Sequence, residues 1–340
     1  MFADYHKQTP VIPLSDAFRV FGMRSPGQVA GDLSFVLSNF GKGFQVGLSS
    51  VDFIRPDLSF PAYAGMVRKD GLSPVYHLFD RHGGGKRYTQ RVTRKWCRDF
   101  RGRALTYDEH DGIDFVCPPG TLLCAAAPGT VVMVRDRWLR GGITVAVDHG
   151  GGMLTQYTHC WKPLASIGQK LNRGEPVALS GVAGIDMTLF CPWVPPHIHF
   201  MAWVNGRPVD PYRAEGEPDR QGAWAEKNDP KPARPAGKRT VPDLSPVDRK
   251  AVDEIVSKCS DDKIRRELAL YEGSYETLAA ILEDALDHDD FAFPEGFRHR
   301  SVRPEARDSG VRLSLPLPAD TFTGAYFADP KVSLKEKLGW

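Results

Sequence analysis

The six cysteines (97, 117, 124, 160, 191 and 259) include no CxxC pair. Their spacing argues for reduced thiols rather than a disulfide framework, with Cys117 and Cys124 as the pair able to meet across a hairpin. No run approaches the roughly 18 apolar residues of a membrane span, which excludes a transmembrane helix. The opening MFADYHKQTPVIPLSDAF lacks a basic start followed by an apolar core, so no secretory leader is read. The expected location is therefore the cytoplasm, with a non-classical route to periplasm or cell wall as the alternative. Net charge is only +2, which implies no global polyelectrolyte role. Internal repeats are absent. What is present is the composition of an ordinary soluble globular protein, long enough at 340 residues for two domains or three small ones.

Along the chain the character changes several times, and a multi-domain protein is expected. Residues 1–106 read as a mixed N-terminal region, with a weak strand signal in FQVGLSSVDFI (Phe44 to Ile54). Within it, residues 81–103 carry nine basic side chains, including Arg91, Arg94, Lys95 and Arg98, against the single acid Asp99. That stretch could contact a polyanion, but a solvated face or connector is the favoured reading, and specific nucleic-acid binding is not expected. Residues 107–213 alternate short apolar segments with Gly-rich turns, the pattern of an all-β unit. Residues 214–243, rich in Pro, Gly and charge, read as a linker. Residues 244–340 read as a mainly helical C-terminal module and tail. Ser245-Pro246 is taken as its N-cap, a second helix restarts at Ser274, and VRLSLPL (Val311 to Leu317) alternates.

Five residues carry the chemistry: His110 and Asp114 in HDGID, His159 in YTH, and His197 and His199 in HIHF. Two His and one Asp suit a catalytic zinc site with an open position for water, and two His remain to handle protons. On a strand, side chains repeat with period two, so His197 and His199 share a face with Cα atoms about 6.6 Å apart. By the same period His110 shares a face with Asp114, and Tyr157 with His159. Gly112, Ile113 and the following Pro118-Pro119-Gly120 make a helix there less favourable than a strand. The other six histidines (His6, His77, His82, His149, His288 and His299) are read as ordinary core or surface residues.

HxxxD, YxH and HxH, with flanks such as HDGIDFVCPPGT, IGQKLNRGEPVALSG and HIHFMAWVNGRPVDP, resemble the LytM-type (M23) zinc endopeptidases that cut peptidoglycan peptides. The resemblance covers residues 107–213. It implies a central all-β peptidase domain with an antiparallel sheet, one Zn2+ per chain held by His110, Asp114 and His199, and His159 and His197 as the catalytic pair. Peptidoglycan peptides are the implied substrate. His197 is expected to transfer the proton, with His159 assisting or stabilising the oxyanion. The stretch IDMTLFCPWVPP (Ile185 to Pro196) departs from the family's short turn and is expected to wall the substrate groove. Asp108, Glu109 and Asp111 are nearby carboxylates that either orient ligand imidazoles or form a solvated acidic turn.

Three rival readings stand beside this one. An inactive LytM-type binding or regulatory module would have lost site residues, and here all five are present. A biotinyl- or lipoyl-like carrier needs a lysine at a hairpin tip in a Met-Lys-like context, which is absent. An effector peptidase acting inside the cell or after export would keep the chemistry and change the substrate.

Overall fold

The computed structural model describes residues 4–9, 12–39, 53–83, 97–137, 141–217, 222–235, 241–288, 292–297, 300–304 and 310–329. The weak strand expected over 44–54 falls almost wholly outside them, as do Arg91, Arg94 and Lys95 of the basic stretch. Among the described residues no cysteine is in a disulfide, and no helix is long and apolar enough to cross a membrane.

The N-terminal region supplies strand β1 (Tyr5–Lys7), helices α1 (Ala17–Val20), α2 (Pro26–Asn39) and α3 (Pro56–Tyr63), and strands β2 (Met66–Arg68) and β3 (Leu72–His77). The central segment follows with β4 (Ile113–Val116), β5 (Leu122–Cys124), β6 (Gly129–Arg137), β7 (Gly142–Asp148), β8 (Met153–Pro163), β9 (Lys170–Leu171) and β10 (Pro176–Ser180). Short helix α4 (Ile185–Leu189) then leads to β11 (His197–Val204) and β12 (Arg207–Val209). Helices α5 (Arg249–Ser257), α6 (Asp262–Ala269) and α7 (Tyr275–His288) and strand β13 (Gly324–Phe327) complete the chain.

One large sheet runs in the order β13-β3-β4-β11-β8-β7-β6-β9. It is mixed, not purely antiparallel as expected: β13 lies parallel to β3, while the remaining pairs are antiparallel. The parallel pair joins two segments far apart in sequence, on either side of the central strands, and no hairpin constrains its direction.

The alternation of each strand sorts its residues between the two faces. Ile113, Phe115, Tyr157, Ile198 and Phe200 pack on one face in the main core. Ala223 and Trp224, from the stretch read as a linker, join that core, with the Trp224 ring stacked on Phe200. Leu313, Leu315 and Leu317 from the alternating tail segment fill it further. On the opposite face, Met133, Leu154, Met201 and Trp203 are buried under α5, α6 and α7. Each such aliphatic side chain taken from water stabilises the fold by about 1.5–3 kcal/mol. A buried ion pair between Arg135 of β6 and Asp284 (Nη1 to Oδ2, 2.5 Å) fastens α7 to this face, and another between Arg303 and Glu283 (Nε to Oε1, 2.6 Å) ties α7 to the segment that follows it.

The second helix start is as expected, α7 beginning at Tyr275 directly after Ser274, but the first differs. Asp248, not Ser245, caps α5, its carboxylate accepting the Ala251 N–H. Ser245 Oγ instead donates to Asp148 Oδ1 at 2.6 Å, tying the start of the helical segment to β7. The described members of the basic stretch are partly consumed internally. Arg81 pairs with Asp210 and Glu217, and Arg101 with Asp99 and Asp329.

Candidate metal centre

β4 and β11 lie side by side at the middle of the sheet, and their register sets Asp114 opposite His199 and Val116 opposite His197. His197, His199, Met201 and Trp203 all project from the same side of β11. The first two line a cavity at its start, and the last two lie beneath the C-terminal helices. His110 reaches the centre from the loop before β4 rather than from the strand itself. An added Cβ at Gly112 would lie 2.7 Å from His199 Cε1 and 2.8 Å from the Phe200 carbonyl oxygen. Glycine is therefore required where this loop passes beneath the imidazole.

The three expected ligands converge. His110 Nε2 lies 3.2 Å from His199 Nδ1 and 3.3 Å from Asp114 Oδ1, and His199 Nδ1 lies 2.9 Å from the same oxygen. A tetrahedral ion with bonds near 2.0–2.1 Å separates its ligand atoms by about 3.3 Å, so this triangle fits zinc. The outward ring atoms are fixed as well. His110 Nδ1 donates to the Leu78 carbonyl at 2.7 Å, which leaves Nε2 as the lone-pair nitrogen facing inward. His199 Nε2 faces Asp111 Oδ1 at 3.1 Å, turning Nδ1 inward. Asp111, one of three nearby carboxylates in the sequence, thus holds the outer nitrogen of the His199 imidazole. Asp108 instead accepts from the Cys97 thiol.

His159 joins the same face by a bulge. Between the pairs Tyr157↔Val145 and Cys160↔Ile143, β8 has two residues, Thr158 and His159, where β7 has only Thr144. His159 adopts φ +64°, a left-handed conformation that costs a non-glycine residue about 1 kcal/mol or more. The extra residue reverses the alternation, as bulges do where a side chain must be re-aimed. Tyr157 therefore does not share the face of His159. It is fully buried in the main core, its hydroxyl accepting the Ala126 N–H at 2.8 Å. The His159 ring sits 4.9 Å from that of His197, centroid to centroid. Both are held by backbone carbonyls: His159 Nδ1 donates to Ala183 at 2.5 Å and His197 Nδ1 to Pro195 at 2.7 Å.

A fifth histidine stands here that its sequence position did not mark. His77, at the end of β3, places Nδ1 3.1 Å from Asp114 Oδ2 and is buried. Its strand carries a matching bulge: Val75 pairs with Phe115 and His77 with Asp114, so Tyr76 is the extra residue. A period-two reading has no means of seeing that displacement. His149, by contrast, is an ordinary core residue, bonded to the Pro128 carbonyl and Thr155.

A cavity of about 50 Å³ lies over the centre, walled by Phe53, Tyr76, Tyr107, Phe190 and Val194. Phe190 and Val194 come from the unusual 185–196 stretch, which thus contributes to the wall of this cavity.

The charges are strongly coupled. Burial alone would raise the Asp114 carboxyl, but His110, His197 and the hydrogen bonds it accepts hold it well below the usual carboxylate range. Burial alone would lower His199, yet its bonds to Asp111 and Asp114 carry it up to about 10. His77 is pushed down to about 4 by burial against the pull of Asp114, so it is neutral at pH 7. With a carboxylate as partner, its Nδ1 is the donor.

Residues 108–211 match peptidase family M23. This segment is an M23 peptidase domain. Within it the chain is 37% identical over 105 residues to peptidoglycan DD-endopeptidase ShyA of Vibrio cholerae serotype O1, a match spanning 31% of this chain and 23% of that protein. It is 32% identical over 109 residues to the DD-carboxypeptidase/endopeptidase Mpg of Neisseria meningitidis serogroup B, again 31% and 23% of the two chains. A solved structure, a zinc containing peptidase from Vibrio cholerae, is 27% identical, covering 41% of this chain and 36% of that one at a TM-score of 0.30. The chain thus spans less than a quarter of the length of these two sequence relatives. His77 lies outside the matched segment.

Proposed function

We propose that this protein is a zinc-dependent endopeptidase that hydrolyses peptide bonds of bacterial peptidoglycan. The observation that carries the reading is the inward-facing triangle of His110 Nε2, Asp114 Oδ1 and His199 Nδ1, flanked by two further imidazoles with carbonyl-fixed tautomers. The M23 match and the peptidoglycan endopeptidase activity named for the Vibrio cholerae relative support the substrate class. His110, Asp114 and His199 would hold the zinc, which when bound supplies a Lewis acid able to bring the pKa of a water down toward about 7.

The remaining work falls to this chain's own groups. With Nδ1 donating to Pro195, His197 presents its Nε2 lone pair toward the centre, 3.6 Å from Asp114 Oδ1. That nitrogen accepts the proton of the attacking water and returns one to the leaving amine. His159, fixed likewise, presents Nε2 from the neighbouring strand, and in its imidazolium form, with a proton taken up from solvent before the substrate binds, it donates to the developing oxyanion. The aromatic wall excludes bulk water, which strengthens these interactions. Digestion of purified peptidoglycan by the zinc-loaded protein, with mass analysis of the fragments, tests the whole reading. Release of new peptide termini supports it, and an intact wall under zinc-replete conditions overturns it.

Zinc uptake is expected to depend on pH with a definite sign. In the metal-free protein His199 is protonated up to about pH 10, and a ligand imidazole must be neutral. Binding at pH 7 therefore releases about one proton, and apparent zinc affinity rises about tenfold per pH unit below that pKa. The same protonation stabilises the metal-free fold. Because the folded pKa lies above the ordinary 6.5, that contribution is complete below about pH 6.5 and disappears as pH climbs through about 10. Competition titrations with a chromophoric chelator at several pH values check the first statement, and thermal melts of the metal-free protein the second.

Gly112→Ala is expected to displace His199, because its new methyl would occupy space the imidazole fills. Zinc affinity should fall about 10–100-fold, the range seen when the surroundings of a ligand are disturbed. Unchanged affinity in a chelator titration would show that the loop yields instead.

A further inference from the structure

We infer that His77 is a positioning residue for the metal centre: from outside the M23 segment, it holds the second oxygen of Asp114 so that the carboxylate presents a single oxygen to the ion. The inference rests on the zinc reading above and extends it to a residue of the N-terminal region. Three observations carry it. Asp114 divides its two oxygens cleanly, Oδ1 facing His110, His199 and His197, and Oδ2 facing His77 Nδ1 at 3.1 Å. His77 reaches that oxygen only because β3 bulges at Tyr76, which places both residues opposite Asp114. The bulge mirrors the one that delivers His159 on the far side of the β4–β11 pair, so the two flanking strands are deformed at the same level of the sheet. Finally, the His77 ring is clamped on several sides, edge-on to Phe53 and Tyr107 with centroids 5.1 and 4.9 Å away, and against Tyr76 at 3.8 Å.

A carboxylate with both oxygens unrestrained can turn to chelate a cation with the pair. Anchoring Oδ2 through an N–H donor removes that option, leaving a coordination position for water and substrate. It also fixes the plane of the carboxylate before the ion arrives, which lowers the ordering cost of binding.

The test compares zinc affinity, by chelator competition on the full chain at one pH, among wild type, His77→Ala, His77→Asn and His77→Leu, with thermal melts of each metal-free variant. Asn can set an amide N–H where the imidazole Nδ1–H stands, while Leu fills space without a donor. His77→Ala and His77→Leu are expected to bind zinc about 10–100-fold more weakly, and His77→Asn to recover most of the loss. A role in packing alone predicts the opposite order, with Leu best tolerated. Should the alanine variant not fold, the Asn and Leu variants carry the same comparison. Wild-type affinity in His77→Leu, or an Asn variant as weak as Leu, overturns the inference while leaving the zinc reading intact. Wild-type protein that takes up no zinc overturns both.

Discussion

His197→Ala is expected to abolish most peptide cleavage while zinc remains bound. Its imidazole is not one of the three converging ligand groups, and its Nδ1 is committed to the Pro195 carbonyl. Removing it deletes the proton acceptor and leaves the triangle of His110, Asp114 and His199 in place. A positioned acid–base group contributes about 10²–10⁴ in rate, so kcat should fall by that factor with KM little changed. Metal content by elemental analysis should stay at the wild-type level. A His197→Ala protein that cleaves wall peptides normally would transfer the proton-moving role to His159. Loss of the metal would show instead that His197 belongs to the ligand set.

Asp114→Asn should have the reverse signature, with zinc lost first and activity only as a consequence. Asp114 is the junction of the site: its Oδ1 faces three imidazoles and its Oδ2 a fourth. The amide keeps the shape and removes the only carboxylate in the triangle, so two neutral imidazoles must hold the cation without an anionic partner. Affinity should fall by more than about 100-fold, beyond the effect of disturbing a ligand's neighbour. His199, which owes its raised pKa in part to Asp114, should titrate at lower pH, observable by following its ring resonances in the metal-free protein. An Asn variant with wild-type zinc affinity would mean that a different set of atoms grips the ion.

Much of the centre was legible in the sequence because its core obeys simple periodicity. HIHF puts two imidazoles on one face of a strand, and β11 carries them that way next to Asp114 on β4. The same rule failed at YTH and at the end of β3, where one extra residue in each strand turned His159 and His77 onto the functional face and sent Tyr157 to the core. A bulge changes the count of residues against a partner strand, and a single strand's sequence carries no record of its partner. Nor did the Pro-rich composition of 214–243 foretell that Trp224 would stack on Phe200, since that burial depends on a surface built by distant strands.

By itself the sequence determined the chemical inventory: the types of the three candidate ligands and two more imidazoles beside them. It also determined the run of short strands across 107–213 and the helical periodicity beyond 245. Only the tertiary structure decided which second oxygen of Asp114 is held, which of three nearby carboxylates orients His199, and that N-terminal aromatics help wall the site. It also added β13 parallel to β3 and laid α5, α6 and α7 over the sheet face that bears the centre. The physical reason is common to all of these. Residue type and local period are properties of neighbours along the chain, whereas register, bulges and packing are set by strands that meet only after folding.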